Sequence, residues 1–386
     1  MNYKKEHAMA KIKILIAICL MIVLIGAASY VANTNQPVLK DVFNKNFLVG
    51  AALNDDVVSG KDPKAAAIVE TQFNTITDEN VMKWALIHPE PNKYDFAAAD
   101  RFVDFGQKNK MFIIGHTLIW QNQIPEWAFE DSSKNLLTRD AMLARMKDHI
   151  FTVVGRYKGK VHGWDVVNEA LSDEGELQKT KWLKTIGEDY VIKAFEYARE
   201  ADPNAELYYN DFSLDKPAKR DATVRLVKEL QSKGLRINGV GIQGHWGMDY
   251  PIRKDFDAFV DSIRVLGIKV MVTELDVDIL PRVDNKYMGA DINVRADLKK
   301  ELNPYVDGFP VEAQKKLADR YSELFSMLLA HPGKIGRVTL WGVYDKTSWL
   351  NNWPVRGRTS YPLLFDRNYQ PKTAFFAVVK TAEVKK

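Results

Sequence analysis

The chain has 386 residues, of which 46% are hydrophobic, 11% aromatic and 27% charged, enough to bury a large core without disulfide or metal staples. Its formal net charge is +4, and the first 28 residues supply +3 of it, from Lys4, Lys5, Lys11 and Lys13 against Glu6, so the remainder carries +1. That balance excludes a nucleic-acid partner held by a broad basic surface, and the single cysteine, Cys19, excludes a disulfide framework.

In chain order, a basic segment precedes the apolar run Ile14–Ala28, and Gly26, Ala27, Ala28 and Ser29 supply small residues suited to cleavage. This pattern predicts an export signal over residues 1–28; the alternative is an uncleaved membrane anchor, for which the run falls short of the roughly 20 apolar residues a span needs. Cys19 follows Ile18 rather than a small residue, which disfavours a lipid anchor. The expectation is an exported protein, periplasmic or extracellular, monomeric and without a stable membrane partner once the signal is removed. A polar linker (29–37) then leads into one catalytic domain over 38–386.

From a short helix near Val38–Phe43 onward, β-branched or apolar runs alternate with amphipathic stretches, the pattern of βα units around a parallel sheet. Eight such runs end near Gly50, Thr77, His116, Asn168, Asn210, Gln243, Glu274 and Trp341. Between them Leu317, Tyr321, Leu324 and Leu328 recur at helical spacing before Gly333, and Val224, Val227 and Leu230 do so before Gly234. The fold class is therefore α/β, a single (β/α)8 barrel of the TIM type. No Gly-rich phosphate loop follows the first run, which argues against a dinucleotide fold. The connection from Pro281 to Pro310 is long and polar; it belongs to the functional face or is a tolerated insertion.

Because parallel barrel strands all point their C-terminal ends at one face, scattered motifs gather there. The polar strand ends are Glu79-Asn80 with Lys83 and Trp84, His116 with Trp120, Asn168-Glu169, Asn210, Gln243 with His245, Glu274 with Asp276, and Trp341 with Trp349. Two carboxylates, several amides and many Trp suit hydrolysis of a glycosidic bond, which a carboxyl pair flanks while aromatic faces hold sugar rings. Residues two apart on a strand share a side, so His245 can bridge Glu274 and Asp276 and hold Glu274 ionised as a nucleophile. Asn168 and Glu169 are adjacent, and both reach a cleft only where the strand ends or bulges. Apolar neighbours such as Trp164 or Trp120, with the charge of Glu274, should keep Glu169 protonated.

Other readings stand beside these. His116 and His245, with His162 as a third, could be metal ligands, although no dense metal motif is present. Trp164 and Trp182 are expected in the core, and His88, His149 and His331 at the surface. Asn210 is expected to support Glu169.

The segments Phe73–Trp84, Gly115–Trp120, Trp164–Ala170, Gly241–His245, Thr273–Asp276 and Trp341–Asp345 occur in order on successive strands. Together they make the chain resemble a glycoside hydrolase family 10 endo-1,4-β-xylanase from about Val38 to the C-terminus. The resemblance implies a retaining enzyme of xylan and xylo-oligosaccharides that needs no cofactor and no metal, with Glu169 as acid/base and Glu274 as nucleophile. It further implies that Asn168 binds the sugar 2-hydroxyl and that Glu79, Asn80 and Lys83 bind the neighbouring non-reducing-side xylose. His116, Trp120, Gln123, Gln243, His245, Trp341 and Trp349 would complete the substrate-binding wall, with Asn210 and Asp276 in support. Retention predicts carboxyl groups roughly 5–5.5 Å apart. The Pro281–Pro310 loop and Tyr344 depart from the pattern and bear on products and decorations. An endoglucanase-like barrel and a non-catalytic glycan binder are the competing classes.

Overall fold

A computed structural model describes residues 36–283 and 296–383; the expected signal, Cys19 and most of the expected linker lie outside them. Among the described residues nine strands form one parallel sheet: β1 (Leu48–Leu53), β2 (Thr75–Asp78), β3 (Phe112–Ile119), β4 (Gly163–Asn168), β5 (Glu206–Asp211), β6 (Gly239–Ile242), the short β7 (His245–Gly247), β8 (Lys269–Asp278) and β9 (Ile335–Leu340). Eight of these close a barrel, because β6 pairs with β8 and β9 returns to β1 with Leu48 opposite Arg337. β7 lies outside that count. Gly244, at φ +87°, turns the chain after β6, and β7 then pairs with the outer half of β8, His245 opposite Asp276. Several strands outrun the expected ends: β1 continues to Leu53, β3 to Ile119 and β8 to Asp278.

Each barrel strand is followed by a helix: α1 (Pro63–Gln72), α2 (Ala97–Lys108), α3 (Arg139–Arg156), α4 (Tyr190–Ala201), α5 (Pro217–Ser232), α6 (Arg253–Arg264), α7 (Val311–Leu329) and α8 (Thr373–Glu383). In α7, Leu317, Tyr321, Leu324 and Leu328 are all buried, and in α5 Val227 and Leu230 are. Gly333 and Gly234 follow these helices at φ +72° and +68°, in the left-handed region that releases a chain from a helix. α1 starts on Asp62, whose carboxylate accepts the Ala65 amide at 3.0 Å, with Pro63 at the first helical position. No helix among the described residues is long and apolar enough to cross a membrane.

The main core lies between strands and helices, while Ile114, Tyr208 and Met271 form a separate buried cluster. Strand alternation places these three on the same faces as His116, Asn210 and Thr273, two residues further along, so the cluster underlies the polar layer above it. It fits because facing positions lack side chains. A Cβ on Gly163 would stand 2.5 Å from the Tyr208 ring, and one on Gly239 2.8 Å from the Met271 sulfur.

Three histidines contradict the surface expectation. His88 and His149 are 2% and 0% exposed, their Nδ1 atoms 3.2 Å apart, and His149 stacks on Trp84 at 3.6 Å between centroids. They belong to an aromatic stack with Tyr94 and Trp127, and burial holds both well below the ordinary histidine pKa, His88 at about 4. His331 is largely covered and pairs with Asp257 at 2.8 Å. An isolated histidine in a helix or loop carries no sequence signal of the aromatic partners that bury it. His162, just before β4, accepts the Ile113 amide at 3.0 Å, away from the strand C-termini. Trp164 and Trp182 are core residues, each 1% exposed.

Of the 281–310 connection, residues 284–295 lie outside the described residues. The described part returns through a bridge from Ala296 to Val355 and anchors on the stack of Phe309 with Tyr361. Tyr344 does not face the cleft. Its hydroxyl donates to Asp62 and its ring stacks on Tyr369 at 4.3 Å, so it is no part of the cleft wall.

Candidate active site

At the C-terminal ends of the strands lies a cleft of about 590 Å³ lined by Glu79, Asn80, Lys83, His116, Trp120, Gln123, Asn168, Glu169, Gln243, His245, Glu274, Trp341 and Trp349. Of the site residues expected from sequence, only Asn210 and Asp276 are absent from its lining; they stand behind it.

β4 delivers Asn168 and Glu169 together by two local devices. A register shift between Asp165 and Val167 breaks the regular alternation against β5, and Glu169 itself sits at φ +57°. A left-handed glutamate costs roughly 1–2 kcal/mol, here offset by the bond from its amide to the Asn210 carbonyl at 2.9 Å. Its carboxylate accepts from Gln243 Nε2 and Trp120 Nε1, both at 2.8 Å. Burial, then the negative charge of Asp211, and further that of Glu274, push Glu169 up to about 7 against the pull of those two donors. The cause differs in part from the sequence expectation. Trp120 acts as a donor and lowers the value, Trp164 packs behind the strand against Gly115, and the strongest charge is Asp211, which no motif singled out.

Glu274 is tuned the other way. His245 Nε2 stands 3.1 Å from its Oε2, and Asn210 Nδ2 donates to its Oε1 at 2.8 Å. Burial alone would raise its pKa, but the His245 hydrogen bond and the nearby His116 and His245 charges outweigh it and leave the carboxyl below its usual range. His245 is in turn held by Asp276 at 3.0 Å. Burial opposes its charge, yet the two carboxylates carry its pKa up to about 10. Asp276 also accepts Trp349 Nε1 at 2.7 Å, which fixes that indole in the wall. The side chain of Asn210 therefore serves Glu274 rather than Glu169. Its nitrogen also stands 2.9 Å from the Asn168 side-chain amide, and Thr273 donates to its oxygen at 2.6 Å. Gln243 Nε2 stands 3.3 Å from the same end of the Asn168 amide, so that amide lies between the Glu169 and Glu274 partners.

The far wall is built by a tight turn after β2. Asp78 accepts the Val81 and Met82 amides at 3.1 and 2.7 Å, which curls Glu79, Asn80 and Lys83 into the cleft. Lys83 donates to Asn80 at 3.0 Å and lies over Trp120 at 5.1 Å. Burial lowers Lys83 and raises Glu79 to about 7, and in each case the charge of the other opposes the shift. His116 is oriented by Asp165 at 2.9 Å and meets Trp341 edge-on. Neither His116 nor His245 has a metal-binding cluster around it among the described residues; His116 spends one ring nitrogen on a carboxylate and His245 spends both. The cleft also has a second half that no motif marked, lined by Phe212, Ser213, Lys216, Tyr250, Arg282 and Trp353. These residues sit in loops, where sequence carries no periodic signal.

The model of the glycosyl hydrolase family 10 matches residues 38–381, essentially the whole described chain. The chain belongs to glycosyl hydrolase family 10. Among relatives, endo-1,4-beta-xylanase A of Xylanibacter ruminicola is 45% identical over 365 residues, covering 95% of this chain and 98% of that protein. A beta-1,4-xylanase of Dictyoglomus thermophilum is 42% identical, covering 89% and 91%. Among solved structures, a GH10 endoxylanase retrieved from a sugarcane soil metagenome superposes with a TM-score of 0.85 at 42% identity, covering 89% of this chain and 99% of that one. For a family 10 member, the cleft just described lies where a (β/α)8 barrel carries its chemistry.

Proposed function

We propose that this protein is an endo-1,4-β-xylanase that hydrolyses internal β-1,4 bonds of xylan with retention of configuration. One observation carries the mechanism: two buried carboxyl groups in one cleft are driven in opposite directions, Glu169 toward the protonated form and Glu274 toward the ionised form. Glu274 attacks the anomeric carbon as Glu169 gives its proton to the departing sugar oxygen, forming a glycosyl-enzyme. Glu169, now a base, takes a proton from water, which displaces Glu274. Asn168 is aimed by Asn210 and Gln243 at the sugar hydroxyl beside the reacting carbon, and His245 keeps the nucleophile ionised as it leaves and returns. Glu79, Asn80, Lys83 and Gln123 bind the non-reducing-side sugar; His116, Trp120, Trp341 and Trp349 close around the reacting ring.

Reducing-sugar release from xylan compared with carboxymethylcellulose tests the substrate class. Xylan turnover with little on the cellulose derivative is expected, and the reverse would leave an endoglucanase. NMR of the first product formed tests stereochemistry: β first supports the pair, α first overturns it. We also propose that residues 1–28 direct export. That reading rests on the basic-apolar-small pattern of the N-terminus, and mass spectrometry of the protein from culture tests it. A mature chain beginning near Ser29 is expected.

A further inference from the structure

Behind Glu169 lies a charged pair that the mechanism above does not use. Asp211, the last residue of β5, and Lys219, in the first turns of α5, are both fully buried with their charged atoms 2.7 Å apart. An ion pair so placed carries a desolvation cost that packing alone would not require. Its surroundings show what it does. Asp211 accepts from Tyr209 Oη at 2.5 Å, from the Phe212 amide at 2.8 Å and from the Leu171 amide at 3.3 Å. Leu171 is two residues past Glu169, so the carboxylate grips the chain where it leaves the left-handed glutamate. The backbone of the same strand end holds both partners of the carboxyl chemistry: the Asn210 carbonyl accepts the Glu169 amide, and the Asp211 carbonyl accepts the Gln243 amide, each at 2.9 Å. Lys219 pairs with Asp211 Oδ1 while the Leu171 amide is held by Oδ2, and its ammonium lies 3.5 Å from the centroid of Phe212, which lines the cleft.

We infer that Asp211 and Lys219 act as a positioning dipole for Glu169, the carboxylate end fixing the Glu169–Leu171 segment and facing the acid, the ammonium end turned away under Phe212. The inference rests on Glu169 being the proton donor. A net-neutral pair placed this way favours the neutral acid through its nearer, negative end, without adding a free buried charge. The charges felt at Glu169 fit this arrangement, since Asp211 ranks directly after burial in raising it. Other groups facing Glu169 are Glu274 and Lys83 from other strand ends, with Trp120, Gln121 and Gln243 as neutral donors. Tyr190 and Tyr209 face Asp211 from α4 and β5, and neither phenol ionises in the working range. Asp211 thus acts on the acid from outside the cleft lining while locked to a counter-ion, Lys219.

The test compares kcat/KM against pH for Asp211→Asn and for the Asp211→Asn/Lys219→Met pair, on xylohexaose and on a dinitrophenyl β-xylobioside. The dinitrophenolate leaves without a proton, so its kcat/KM does not need Glu169 as acid. On xylohexaose the basic limb should move from about 7 toward the ordinary glutamate range, with a roughly threefold loss of kcat/KM at pH 7; on the aryl glycoside kcat/KM should hold within about twofold. The double variant removes both buried charges and covers the case in which an unpaired Lys219 prevents folding. An unmoved limb, or equal losses on both substrates, overturns the inference. Glu169→Gln run alongside separates the two failures: if it hydrolyses xylohexaose normally, the assignment of Glu169 falls. If it is inactive there while the limb of the Asp211 variants stays put, only the role of the dipole falls.

Discussion

At the scale of single residues, function depends on two glutamates with unlike surroundings. kcat/KM should be bell-shaped. Its acid limb reflects protonation of Glu274, held below its usual range, and its basic limb reflects loss of the Glu169 proton near pH 7. Glu274→Ala should lower kcat on the order of 10⁴-fold while xylo-oligosaccharide binding persists by calorimetry; turnover near that of the wild type would remove Glu274 from the mechanism. Asp276→Asn tests the support of the nucleophile. It weakens the anchor of His245 and one partner of Trp349, and a charged hydrogen bond is worth about 1.5–3 kcal/mol, so a drop in kcat of roughly 10- to 100-fold is expected. An unchanged kcat would mean that the Glu274 bond and the Trp349 contact suffice to orient His245.

At the scale of elements, the barrel strands place the chemistry through close approaches that only small residues permit. Gly115 of β3 is one. A Cβ there would stand 2.2 Å from the Trp164 ring of β4, and the two strands carry His116, Trp120, Asn168 and Glu169. Gly115→Ala should therefore cost about 3 kcal/mol of unfolding free energy by overpacking, read from denaturant titration. A loss within error would show that the indole has room to retreat. The same strand pair illustrates what periodicity conveys. β3 and β4 are legible as apolar runs, and their polar ends as site residues. Their register shifts and the left-handed turn at Glu169 are not legible, because a bulge depends on how the neighbouring strand pairs.

For the whole molecule, stability and function pull apart, and pH separates them. The carboxyl of Glu169 is raised from 4.5 to about 7 in the fold, so the folded state binds its proton more tightly than the unfolded chain does. The stability linked to this group is full below about pH 4.5 and lost as pH rises through 7. Glu169→Gln should thus unfold at higher temperature than the wild type at pH 8, by a gain on the order of 3 kcal/mol at most, and show no such gain at pH 4.5. Equal Tm differences at both pH values would sink this account. His88 works with the opposite sign. Its pKa falls from 6.5 to about 4, so the fold is unpenalised above 6.5 and loses stability as pH drops from 6.5 toward 4. His88→Phe should shrink the fall in Tm between pH 7 and pH 4.5; a slope like that of the wild type would place the acid sensitivity elsewhere.

Much of this protein was determined by sequence alone. The alternation of apolar runs and amphipathic stretches dictates a (β/α)8 barrel because each period permits one buried face, and parallel strands leave one face for chemistry. Glu169 and Glu274 stand out for the same reason, as carboxylates where a buried strand gives packing no use for them. The tertiary structure decided what depends on neighbours distant in the chain. It gave the Asn210 side chain to Glu274, turned Trp120 into a donor, buried His88 against His149, kept Tyr344 out of the cleft, and set Asp211 with its lysine behind the acid. Sequence shows which groups a chain carries at its strand ends; the field each one feels is a sum over distances, and only folding fixes those.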